Sequence, residues 1–266
     1  PDIAIGFGGY VSAPVMLAAH HKHVATMIHE QNSIVGVSNK MVAKYMDAIV
    51  ICYEKCFEEF GREKTRLLGN PRATNAVHAK FDRDYFLSLG LSLHKPLILV
   101  VMGSLGSTSV NAIMKDALPA VSERYQILFV TGKNNYEEMR KQIHAPHVKV
   151  VDYVKQLDIM AHVDLIVCRA GATTAAEITA LGTPSILVPS PYVAHNHQFY
   201  NASVLVDHKA AVMLEEKDLN AEALSNAIDR IMSDDLLRAS MHSASLALGK
   251  PNASEDILNW CDEMKR

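Results

Sequence analysis

Apolar residues fall along the chain in short runs that alternate with amphipathic stretches. "DIAIGF" (2–7), "VATMIHE" (24–30), "AIVICY" (48–53) and "TRLLGN" (65–70) read as strands. "SAPVMLAAHH" (12–21), "GVSNKMVAKYM" (36–46) and the short "EKCFEEFG" (54–61) read as helices. Brief apolar runs bounded by turn residues mark strands buried on both faces, and helices between them imply parallel pairing. A polar, linker-like stretch follows over roughly 72–95, and then the alternation resumes. "PLILVVMG" (96–103), "QILFVTG" (126–132), "VKVVDYV" (148–154), "DLIVCRAG" (164–171), "PSILVPS" (184–190) and "AAVML" (210–214) are strands. Helices are expected over about 110–124, in "YEEMRKQI", "TTAAEITAL" and "NHQFYNASVLVD", and in the tail segments "NAEALSNAIDRIMSD" and "ASEDILNWCDEMK".

The pattern specifies an α/β fold: the end of one doubly wound parallel-sheet domain and the whole of a second. The first strand opens the chain and is of the buried type, which predicts neighbours on both sides and an upstream half of its domain. Composition narrows the function. With 26 Lys+Arg against 29 Asp+Glu the net charge is −3, which disfavours a dedicated nucleic-acid binder. No apolar run approaches the ~20 residues of a membrane span, and no signal-peptide pattern opens the chain. Cys52, Cys56, Cys168 and Cys261 lack CxxC spacing and read as reduced thiols rather than disulfides or metal ligands.

Ligands of open α/β sheets bind beyond the carboxyl ends of the strands, so polar residues collected there are the candidates. "GSLGS" (103–107) is either a tight turn or an anion cradle; it lacks the third glycine of a dinucleotide fingerprint and the Lys of a Walker loop. In "RAGATTAAE" (169–177) Gly171 frees the turn, and a helix beginning at Ala172–Thr174 offers amides to phosphate. Glu177 is either a capping carboxylate or an acceptor for a vicinal diol such as a ribose. His197 and Gln198 of "VAHNHQFYNA" are caps or sugar contacts. In front, "GFGGYVSAP" is a glycine turn with Ser12 as expected cap, and "IHEQN" puts His29 and Glu30 at a strand end as a base and its partner, although consecutive strand residues face opposite ways. Asp82-Arg83-Asp84 fits the metal-holding DxD pattern but reads better as an N-cap. His20-His21-Lys22-His23 suits a helix C-terminus better than a metal.

Together "GFGGYVSAP", "HEQNSIVGVSNK", "GNPRA", "GSLGS", "RAGATTAAE" and "VAHNHQFYNA" occur in an order that resembles the MurG family of N-acetylglucosaminyltransferases. The resemblance runs over nearly the whole chain and lacks the family's amino-terminal glycine-rich, histidine-bearing loop. It implies a GT-B fold, two Rossmann-like domains around a cleft. Residues 1–71 would be the carboxyl part of the acceptor-side domain and 72–247 the UDP-sugar-binding domain. A terminal helix within 248–266 would pack back on the first. It further implies UDP-N-acetylglucosamine as donor and a membrane-bound undecaprenyl-pyrophosphoryl muramyl-pentapeptide as acceptor, with no cofactor. Donor contacts would be Asn32, Arg72, Ser104, Val154, the amides of Ala172, Thr173, Thr174, Ala175 and Ala176, then Glu177 on the ribose and Gln198 on the sugar. Gly8, Gly9 and Tyr10 would meet the acceptor. His195-Asn196 stands where the family has an acidic pair, and Leu105 replaces a polar residue in "GSLGS".

Sugar transfer with inversion then needs amide stabilisation of departing UDP and a base, for which His29 and Glu30 are the candidates in this chain. His20, His21, Lys22, His23, Lys40 and Lys44 would supply a basic patch for the cytoplasmic face of the membrane. Two other classes compete: a UDP-sugar-binding fragment without turnover, and a UDP-N-acetylglucosamine epimerase sharing fold and donor.

Overall fold

A computed structural model describes residues 1–103 and 106–265. The first sheet is parallel, in the order β1 (Ile3–Gly6), β2 (Ala25–Glu30), β3 (Ala48–Ile51), β4 (Thr65–Leu67). Period-two alternation explains why β3 is wholly apolar. Ile49 and Ile51 face a core with Ala13 and Met16 of α1 (Ser12–His21) and Val42 of α2 (Val37–Val42). Ala48 and Val50 face the other way. α3 (Phe57–Phe60) leads into β4. β1 pairs with β2 alone, so the expected two-sided pairing is not met within the described residues, and Ile5 is 39% exposed. Ser12 is not the cap of α1: Val11 holds that position with helical φ/ψ. The Ser12 hydroxyl instead lies against Gly6, where a Cβ would come within 2.7 Å of it and of Met16.

The polar stretch after Asn70 is not a linker. α4 (Pro71–His78) starts at Pro71, with the Asn70 side chain accepting from Arg72 N at 3.0 Å, and α5 (Arg83–Ser88) is capped by Asp82 accepting from Tyr85 N at 2.9 Å. That capping bond settles the DxD reading in favour of the cap.

The second sheet, also parallel, has the order β10-β9-β8-β5-β6-β7. Its strands are β5 (Leu97–Val101), β6 (Gln126–Val130), β7 (Val148–Val151), β8 (Leu165–Cys168), β9 (Ser185–Leu187) and β10 (Ala211–Met213). The intervening helices are α6 (Thr108–Val121), α7 (Tyr136–Gln142), α8 (Ala172–Leu181) and α9 (His197–Asp207), followed by α10 (Ala221–Met232) and α11 (Asp235–Leu248). α11, which the sequence pattern does not announce, is capped by Asp234 accepting from Leu237 N at 2.9 Å. Ile98 and Val100 of β5 pack into one apolar layer and Leu97 and Leu99 into the other, which makes the sheet the buried middle of three layers. α12 (Ala253–Met264) returns to the first sheet, where Ile257, Trp260 and Cys261 cover Met27, Ala48 and Val50. All four cysteines are free. No helix among the described residues is long and apolar enough to cross a membrane.

Candidate active site

In the second sheet the chain turns outward from β5 in both directions, to β6 and β7 on one side and to β8, β9 and β10 on the other. Neighbouring loops after β5 and β8 therefore part company and leave a crevice at the strands' carboxyl ends. A cleft of about 790 Å³ opens there. Its walls are Gly103, Gly106 and Ser107 after β5, Tyr153 and Val154 after β7, Gly171, Thr173 and Thr174 at the start of α8, and Gln198 of α9.

Two glycines shape it for different reasons. Gly106 has φ +73°, and a Cβ there would stand 2.0 Å from the Thr131 carbonyl oxygen, so only glycine lets this loop lie on the end of β6. Gly171 needs no such freedom: its φ of −67° suits any residue, contrary to the expectation that it frees the turn. A Cβ at Gly171 would meet nothing within 4 Å, so the glycine keeps the mouth of α8 open. The first amides of this ten-residue helix have no intrahelical acceptor and carry the positive end of its dipole.

Glu177 is 3% exposed and its carboxylate is fully engaged. Arg72 donates to Oε1 from Nε at 2.8 Å and from Nη2, and Gln156 Nε2 donates to Oε2 at 3.0 Å. Burial raises the Glu177 pKa, and the Arg72 hydrogen bond and charge pull it back. The pair joins α4 to α8, so Arg72 reaches the cleft from the segment between the two sheets. Arg169, which no sequence motif marks as a site residue, lines the cleft too. Its Nη1 donates to the Val188 and Pro189 carbonyls at 3.1 and 3.2 Å, and Nη2 donates to Ser107 Oγ at 2.9 Å. Nη2 also lies 2.8 Å from the Glu216 carboxylate, as an ion pair without hydrogen-bond alignment. The signal was available: an arginine directly after the buried run "LIVC" must be paired or cost several kcal/mol.

A second groove, about 690 Å³, lies in front. Gly8 and Gly9, with φ +81° and +84°, make the turn that presents the fully exposed Tyr10 to it. Glu30 and Asn32 border it as well, facing Ala194, His195 and His197. Glu30 organises the loop after β2: Oε1 accepts from Asn32 N at 3.0 Å, and Oε2 accepts from Gly36 N and Asn39 Nδ2, each at 2.9 Å. His29 points to the other face. It is buried, donates from Nε2 to the Gly69 carbonyl at 2.9 Å, leaves Nδ1 without a partner, and lines neither cleft nor groove. Burial lowers its pKa, which keeps it neutral. The expected base-and-partner pair is therefore not formed; strand alternation separates its members.

Of the residues expected at the donor, Arg72, Val154, Thr173, Thr174, Glu177 and Gln198 meet in the cleft. Ala172, Ala175 and Ala176 turn their side chains to the opposite side of α8. Asn32 sits in the front groove, where its Oδ1 accepts from Asn201 Nδ2 at 3.2 Å. Ser104, with Leu105, lies outside the described residues. Among the described residues, no group of three or more His, Cys, Asp or Glu is placed to hold a metal ion.

The glycosyltransferase family 28 C-terminal domain matches residues 97–257, and the family's N-terminal domain matches residues 1–51. The chain belongs to glycosyltransferase family 28. Within the family it is similar to the UDP-N-acetylglucosamine–N-acetylmuramyl-(pentapeptide) pyrophosphoryl-undecaprenol N-acetylglucosamine transferase of Limosilactobacillus reuteri, 43% identical over 97% of this chain and 72% of the relative. The Bacillus subtilis enzyme of the same name is 39% identical over 100% of this chain and 75% of its own. The crystal structure of Acinetobacter baumannii MurG superposes with a TM-score of 0.81 at 25% identity, covering 98% of this chain and 73% of that one. S. aureus MnaA with UDP shares the fold, with a TM-score of 0.74 at 16% identity over 97% of this chain and 74% of that one. The family 28 assignment and these superpositions make the two parallel sheets a GT-B pair.

Proposed function

We propose that this chain transfers N-acetylglucosamine from UDP-N-acetylglucosamine to the 4-hydroxyl of the muramyl sugar on an undecaprenyl-pyrophosphoryl pentapeptide. The observation that carries the reading is the cleft at the reversal of strand order, lined together by the N-terminus of α8 and by the buried Glu177 carboxylate one turn further along the same helix. The diphosphate would lie against the amides at the start of α8, with uracil near Val154 and the ribose diol on Glu177, displacing part of the Arg72 contact. Arg72, freed toward the diphosphate, and the α8 dipole then stabilise the charge that develops on departing UDP. Gln198, whose Oε1 now accepts from Ser190 N at 2.9 Å, would address the sugar.

The acceptor would enter by the Gly8–Gly9–Tyr10 groove and attack in line, inverting the anomeric carbon. Of the two groups named for proton removal only Glu30 borders that groove. α1 and α2 expose Val11, Val15, Val37 and Met41 along the side that starts at this groove, and Lys22 and Lys44 follow where the two helices end, a mixed apolar and basic patch that suits peripheral contact with an anionic membrane face. Lys40 is engaged with Glu59 at 2.6 Å and contributes less to that patch. The residue boundaries 71/72 and 247/248 are proposed as domain limits in the same reading.

Transfer of labelled N-acetylglucosamine to a soluble lipid-linked acceptor tests the reaction. Glu177→Ala should weaken UDP about 10- to 100-fold, the worth of hydrogen bonds to a charged acceptor. Unchanged UDP affinity in that variant would remove the donor-site assignment. Formation of UDP-N-acetylmannosamine from donor alone would instead indicate epimerisation.

A further inference from the structure

α8 has two working faces. Thr173, Thr174 and Glu177 look into the cleft, whereas Ala172, Ala175, Ala176 and Thr179 recur at helical i, i+3, i+4, i+7 spacing on the other side. That other side walls a separate cavity of about 420 Å³. It lies between the two sheets: the segment after β3 and the turn after β4 form one side, and α8, α9 and the end of α11 form the other. The volume falls in the range of small-molecule sites, roughly 300–1,000 Å³.

The chemistry of the lining is two-zoned. The interior is apolar or small, with Leu67, Ala73, Val204, Leu205 and Leu248 besides the α8 alanines. The cationic members are Lys55 and Lys250, with the His208 ring beside them, against one carboxylate, Glu54. Among the described residues neither lysine makes an ion pair. Lys55 Nζ instead stands 5.4 Å over the Tyr200 ring. Lys250 is set into the wall by Gly69, whose φ is +85°; a Cβ there would lie 2.4 Å from Lys250 Cβ. A diphosphate does not suit an apolar interior, and a neutral apolar molecule leaves two cations unused.

We propose that this cavity is a second binding site, for an amphipathic monoanion: a carboxylate or sulfonate held by Lys55 and Lys250, its apolar body against α8 and α9. It is independent of the donor-site reading, because the two sites share a helix but no lining residue.

8-Anilinonaphthalene-1-sulfonate, titrated into the folded chain by fluorescence and calorimetry, is the probe. One saturable site is expected, retained in saturating UDP. Lys55→Met/Lys250→Met should weaken it about tenfold or more. Val204→Trp, which fills the cavity, should abolish it. Circular dichroism and thermal melts establish that both variants fold, and the lysine pair, at the surface, decides the matter if Val204→Trp does not. Displacement of the dye by UDP, or parent-like binding in the folded variants, would overturn the proposal.

Discussion

Glu177 shows how much one carboxylate depends on its partners. Its burial raises its pKa above the ordinary 4.5, so the ionised form costs stability increasingly as pH rises past that value, and Arg72 offsets the cost. Only the ionised carboxylate accepts hydroxyl bonds with both oxygens. UDP affinity should therefore fall as pH drops through the raised pKa. In Arg72→Met, which removes the opposing charge, that transition should move to higher pH, and stability at neutral pH should drop more than at pH near 5. Calorimetric titration of UDP and denaturant melts across pH check both. An unmoved transition would mean that Arg72 does not tune Glu177. The residue scale was partly readable in advance. Glu177, Thr173 and Thr174 follow from their place after a strand, because side-chain direction near a helix start is local. The contrast between His29 and Glu30 was readable only as a warning. That one is neutral and sealed against Gly69, and the other ties two amides of its own loop and Asn39 of α2, depends on what packs above and below β2.

At the scale of elements, the loop after β5 rests on the end of β6 through Gly106. Asn111 Nδ2 donates to the same Thr131 carbonyl at 3.1 Å, so that oxygen has no room to retreat. Gly106→Ala should cost about 1–3 kcal/mol in denaturant unfolding, from both the positive φ and the clash. It should also raise the Kd for UDP, because the displaced loop forms one wall of the cleft. A parent-like stability would refute the close packing. Strands and most helices could be read from periodicity, since burial on both faces leaves uninterrupted apolar runs. α4 could not. Its buried face is Ala73, Thr74 and Ala76, small residues on a segment that is polar on the whole, so "PRATNAVH" looks like a linker until it is seen wedged between α8 and α12. α11 hides for a related reason: its buried positions are few, Met241 and Ser245.

At the scale of the whole molecule, the two sheets are tied by Asn201 of α9. Fully buried, it accepts from Ser33 N at 2.9 Å and donates to Asn32 Oδ1 and the Ala170 carbonyl, each at 3.2 Å. Asn201→Leu keeps the volume but strands these groups, at about 1–3 kcal/mol for each buried donor or acceptor left unpaired. The variant should unfold earlier in denaturant and lose transfer activity more than UDP affinity, because the tie joins the acceptor loop to the donor lobe. Equal losses in both would indicate a general collapse instead. What the chain determined alone was the alternation of strand and helix, the parallel pairing it implies, and the turns at which ligand-facing residues must gather. These depend on neighbours in sequence. Which turns meet was decided by the tertiary structure. Arg72 and Glu177 are 105 residues apart, and Ser33 and Asn201 168 apart. No local period encodes such pairings; they exist only because strand order places β5 beside β8 and brings α4 and α9 between the sheets.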